Sequence, residues 1–72
     1  MNDMSILWKL KQLLLKDDVE FIVELYRELL DRDPDPEGFR HHLSLLRSGV
    51  PKITLVISIM RSEEAIRLYQ RS

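Results

Sequence analysis

Apolar residues return at helical intervals along almost the whole chain, and those intervals predict five helices. The first runs from about Ser5 to Lys16, with Asp3 or Ser5 as its N-cap. Ile6, Leu7, Leu10, Leu13 and Leu14 share one face, while Trp8 and Leu15, seven residues apart, form a second stripe on the opposite side. A helix that is apolar on two sides needs two neighbours, or keeps one side for a partner. The second helix opens at Asp17, and Glu20 three residues later completes a reciprocal capping pattern. Phe21, Ile22, Leu25, Tyr26 and Leu29 line its core face, flanked by Val19, Val23 and Leu30. Its polar sector (Glu20, Glu24, Arg27 and Glu28) covers less than half the circumference, which places this helix at the centre of a bundle.

The run Asp33-Pro34-Asp35-Pro36-Glu37-Gly38 breaks the pattern. Pro34 forces Asp33 out of helical geometry, Asp35 caps a third helix, and Pro36 fits its first position. Phe39, Leu43 and Leu46 make the core stripe of that helix, with His42 at the edge, and Ser48-Gly49 ends it. A fourth helix starts near Pro51, with Ile53, Val56, Ile57 and Met60 on one face, widened by Leu55 and Ile59. Its β-branched residues also suit a strand, but no second strand is predicted to pair with it. Ser62 caps a short fifth helix whose apolar residues include Ile66 and Tyr69. The expected fold is all-α: one domain over residues 1–72, a small orthogonal bundle of four to five short helices.

Seventy-two residues give a small core and a thin stability margin, so docking onto a host protein or a second copy is a natural supplement. The content is 44% hydrophobic and 32% charged, a globular balance, and the net charge of −1 offers no field for nucleic acid. Without cysteine there are no disulfides or thiolate metal sites, and the redox compartment stays open. No apolar run reaches the length of a membrane span, and acidic Asp3 before the first apolar stretch does not read as a secretory signal.

The stretch from Leu25 to Gly38, with Tyr26, Leu30, Arg32, Pro34 and Asp35 in order, resembles a bacterial helical family, the domain of unknown function 4214. Phe21 before it, and Gly49, Ser62 and Glu63 after it, fit the rest of that family's pattern, so the likeness spans about residues 18–70. The first helix, about residues 5–16, then reads as an addition. Asp31 stands where the family usually has glycine, and His42 where it usually has tryptophan. The resemblance, which extends distantly to phycobilisome linker domains, implies an accessory module of surface-layer, secreted or cell-envelope proteins, or of glycan-assembly enzymes. It implies no established activity and no cofactor.

Asp31, Asp33, Asp35 and Glu37 alternate like the start of a calcium loop, but Pro36 replaces the glycine such a loop needs at its sixth position. A helix stop followed by a proline-led restart explains the same residues. His41 and His42 are adjacent, about 100° apart on a helix, and do not converge on one ion. Lys9, Lys11 and Lys16 beside Trp8 suggest an interfacial helix, yet the apolar residues are not confined to one face and membrane contact is not expected. Arg32 near Asp35 and Glu63 reads as a structural ion pair. No nucleophile–base pair or phosphate loop is present, so no enzyme is expected. The expected role is a non-catalytic protein-interaction or scaffolding module. Its partners would be other domains of a host protein, a separate protein or a second copy, with Trp8 and Leu15 as the contact surface. The alternative is a small carbohydrate- or calcium-binding module using the acidic turn.

Overall fold

Five helices form where the apolar periodicity places them: α1 (Asp3–Leu15), α2 (Asp18–Leu30), α3 (Pro36–Arg47), α4 (Lys52–Met60) and α5 (Glu63–Gln70). They are seen in a computed structural model that describes residues 3–70, the side chains of Asp3, Met4 and Ile6 lying outside the described residues. No strand occurs among the described residues, and the run from Lys52 is helical despite its β-branched content. The predicted place of Ile6 in the α1 stripe therefore falls outside the described side chains. Asp3 and Ser5 stand inside α1 and not at its cap, because the helix begins earlier than the serine suggests.

Local chemistry explains the helix ends. Asp17 accepts a hydrogen bond from the Glu20 N–H at 2.9 Å and starts α2. Asp35 caps α3 by accepting from the Gly38 N–H at 3.2 Å, with Pro36 in the first turn. At the far end of α3, Gly49 takes φ of 106°, so that Val50 N–H reaches the Leu45 carbonyl and Gly49 N–H the Leu46 carbonyl. Those two crossed bonds are a Schellman closure, which satisfies carbonyls the helix leaves unpaired. Ser62 serves two helices at once. Its hydroxyl donates to the Ile59 carbonyl of α4 at 2.6 Å and accepts from the Ala65 N–H of α5 at 3.2 Å.

Helix α2 ends differently. Asp31 closes it in the left-handed region, at φ 54° and ψ 37°. A Cβ is strained in that region, which glycine enters freely and aspartate only tolerates. Asp31→Gly is expected to stabilise the fold by about 0.5–1 kcal/mol. A urea melt reads this as a higher midpoint with unchanged slope, and a lower midpoint would show that the aspartate side chain holds the turn.

Helix α2 packs against all four others. Phe21, Ile22, Leu25 and Leu55 are the most deeply buried large side chains, joined in the core by Tyr26, Leu30, Val56, Ile59 and Ala65. Three expected faces are corrected. In α4 the inward residues are Leu55, Val56 and Ile59, while Ile53, Ile57 and Met60 are exposed. That helix is apolar nearly all round, so its pattern does not choose a side. In α5 the buried residue is Ala65 and not Ile66 or Tyr69, because the small side chain lets α5 approach the core closely. In α1, Leu10, Leu13 and Leu14 meet the core but Leu7 is 59% exposed.

One contact ties α1 down. Lys52, at the start of α4, donates from Nζ to the Leu14 carbonyl at 3.1 Å and to the Lys16 carbonyl, and lies 5.6 Å from the Phe21 ring centre. The ammonium thus fills the negative end of α1, where carbonyls lack intrahelical partners.

Candidate functional site

Tyr26, Arg32, Asp35 and Gly38 come together where α2 turns into α3. The Tyr26 ring is buried, with the Arg32 guanidinium 5.2 Å from its centre on one side and His42 edge-on at 5.6 Å. Its hydroxyl lies over Gly38, where an added Cβ would come within 2.7 Å of it. His42 Nδ1 is 2.8 Å from the Gly38 carbonyl and 3.3 Å from the Tyr26 hydroxyl. Because a carbonyl only accepts, the shorter contact places the proton on Nδ1, and the tyrosine oxygen shares it. Burial first, and then Asp35, raise the Tyr26 hydroxyl above its ordinary value of 10.0, which keeps it neutral. The deepest aromatic of the core is Phe21; Tyr26 is the polar-tipped aromatic at its edge.

Arg32 crosses from the α2–α3 turn to α5. Its Nε and Nη2 donate to the two oxygens of Glu64 at 2.6 and 2.8 Å, Nη1 donates to the Asp33 carbonyl at 3.0 Å, and Asp35 lies 3.6 Å away. The expected partner Glu63 pairs with Arg67 instead, at 3.7 Å. With Ser62 as the cap, the second residue of α5 faces the turn and the first faces outward. The cluster is therefore a clamp fastening α5 to α2, built by a fork-on-fork pair.

Its acid dependence follows from the carboxyl. The Arg32 hydrogen bond, opposed by partial burial and reinforced by the Arg32 charge, holds Glu64 below its ordinary 4.5. A depressed carboxyl contributes stability that is fully present above the unfolded value and is lost as pH falls through the folded one. The Arg32 and Glu64 side chains are 40% and 47% exposed, so water screens the pair and its contribution is modest. Glu64→Gln is expected to melt below the wild type at neutral pH, with the gap closing as pH drops below 4.5. A gap that persists in acid would mean the carboxylate charge is not what holds α5.

The acidic turn disperses its carboxylates. Asp33 meets Arg27 at 2.6 Å, Asp35 caps α3, and Asp31 closes α2. Among the described residues no group of three His, Asp or Glu side chains is placed to hold a metal ion. His41 and His42 touch edge to face at 5.2 Å, with His41 exposed.

A face of the bundle bordered by α1 is apolar and open. Trp8 is 61% exposed and Leu15 71%, and α5 does not cover them, since Ile66 and Tyr69 are themselves exposed. Beside this stripe lies a groove of about 680 Å³ between α1, α2 and α4. Leu10, Leu13, Leu25, Leu29, Val56 and Met60 line it, with Trp8 at its edge. Lys9 of α1, Lys16 just beyond it, and Glu24 and Glu28 of α2 add charge of both signs. The side chains of these four form no ion pair among the described residues. Periodicity singled out Trp8 and Leu15 but not the groove, which depends on how α1 diverges from α4. No helix among the described residues is long and apolar enough to cross a membrane.

The model of the family described as Domain of unknown function (DUF4214) matches residues 11–69. The match begins at Lys11 and so takes in the half of α1 that meets the core, leaving Trp8 upstream of it. No curated protein and no solved structure matches the chain.

Proposed function

Since the chain belongs to the Domain of unknown function (DUF4214) family, we propose that it is a non-catalytic protein-contact module working through the apolar surface that α1 leaves open. The observation that carries this is the exposed Trp8–Leu15 stripe beside a groove with an apolar floor. A tryptophan left in water next to a concave apolar surface is the usual composition of a contact site. The occupant that fits is an apolar helical segment of polypeptide. Nucleic acid does not fit, because the groove sets two glutamates beside its two lysines and offers phosphates no net attraction. The motif residues Tyr26, Arg32 and Gly38, with Glu64 as the partner of Arg32, hold the fold that presents this surface. The resemblance to accessory modules favours a setting in a bacterial envelope, secreted or glycan-assembly protein, with a neighbouring domain or a separate protein as partner.

A photo-crosslinking residue in place of Gln12, which lines the groove, tests the reading in the cells that encode the chain. The same label at Arg40, exposed on α3, is the control. A discrete polypeptide adduct is expected at Gln12 alone, and Met60→Glu should abolish it. Equal labelling at both positions, or none at either, would remove the groove as a contact site.

A further inference from the structure

The groove's occupant can be specified from its charges and its area, an inference that rests on the contact reading above. A surface that binds a copy of itself must carry both signs of charge around an apolar centre, because a single sign repels its own image. This groove has that composition. Lys9 stands on α1 and Lys16 just after it, Glu24 and Glu28 stand on α2, and the side chains of the four form no ion pair among the described residues. The two signs also segregate by helix. The sequence of α1 carries Lys9 and Lys11 against Asp3 at its start, whereas α2 carries Asp18, Glu20, Glu24 and Glu28 against Arg27. A basic, apolar α1 therefore suits the acidic wall of another copy's groove.

The exposed area agrees. The chain exposes 5468 Å², whereas a folded monomer of 8.6 kDa is expected to expose about 4,700 Å². The excess over the whole chain is roughly 800 Å², and a standard protein interface takes about 800 Å² from each partner. Large apolar side chains are among those left exposed: Leu7, Trp8 and Leu15 on α1, with Met60 on α4.

We infer that two copies pair through a two-fold axis, α1 of each lying against the groove of the other. Lys9 and Lys16 of one copy then face Glu24 and Glu28 of the second, and the same contact is made again by symmetry. Trp8 moves from water into the second copy's apolar floor, between Leu29 and Met60.

Sedimentation equilibrium from micromolar to millimolar chain tests the pairing, with the fluorescence of Trp8, the only tryptophan, as a second readout. The wild type is expected to reach dimer mass as its emission shifts to shorter wavelength. Glu24→Lys/Glu28→Lys makes the groove wholly basic, and Lys9→Glu/Lys16→Glu makes it wholly acidic. Each double variant alone should dimerise about tenfold more weakly or worse, while an equimolar mixture of the two recovers the dimer. Far-UV circular dichroism verifies that both stay helical; should one unfold, Gln12→Glu/Lys16→Glu replaces the acidic partner and Glu28→Lys the basic one. A wild type that is monomeric at millimolar concentration overturns the inference, and so does a dimer indifferent to both reversals. If the chain is monomeric while the Gln12 label still captures a different polypeptide, the contact reading stands and self-pairing alone fails.

Discussion

Tyr26→Ala is expected to remove about 3–5 kcal/mol, most of the stability available to a chain of this length. The ring is almost wholly buried and is held from three sides: the core beneath, the Arg32 guanidinium at 5.2 Å, and His42 at its edge. Truncation thus opens a cavity, removes the surface on which Arg32 rests, and leaves His42 facing a void. Tyr26→Phe keeps the ring and loses only the shared contact with His42, so its loss should be small beside that of alanine. Urea unfolding followed by circular dichroism measures both. Equal loss in the two variants would mean the hydroxyl, not the ring, holds this end of the bundle.

The second large effect is at Gly38, and its sign depends on Tyr26. Any side chain at residue 38 brings a Cβ to 2.7 Å from the tyrosine hydroxyl and 3.0 Å from Asp35 Oδ1. The hydroxyl is the end of a ring wedged in the core, so it does not swing aside without disturbing the packing. Gly38→Ala alone is expected to cost about 1–3 kcal/mol through overpacking. Combined with Tyr26→Phe, the closer of the two obstructions is gone and the alanine contributes its better helix propensity, worth up to about 1 kcal/mol. The double variant should therefore be more stable than Gly38→Ala, a coupling that a double-mutant cycle reads directly. Additive losses would show that the glycine is needed for Asp35 or the backbone, and not for the tyrosine.

Much of this architecture is legible in the order of residues, and the reason is local. Asp17, the Asp35-Pro36 pair, Gly49 and Ser62 act within three or four residues of themselves, so the helix ends they fix follow from neighbours in sequence. The face of α2 is equally plain because its polar residues cluster. What stays hidden depends on distant partners. Glu64 meets Arg32 across 32 positions, and Lys52 meets the end of α1 across 36 and 38. The stretch of α4 from Ile53 to Met60 carries too many apolar residues for periodicity to pick its inner side, and the small Ala65 gives no hint that α5 turns on it. At the candidate site, Trp8 and Leu15 stood out because they oppose the main stripe. The groove beside them exists only once three helices are set at their angles.

The fastening of α1 at one end by Lys52 has a mechanical consequence. The helix is clamped where its last carbonyls meet the ammonium and where Leu10, Leu13 and Leu14 bear on the core, while Leu7 and Trp8 stand in solvent. A tug arriving from the N-terminal side would peel the turn of Leu7 and Trp8 before it reaches the clamp, and reach the clamp before it loads α2. Amide protons should follow the same gradient, exchanging with solvent in a steep sequence along α1 from its start to Leu14, while those in the middle of α2 exchange only when the whole domain opens.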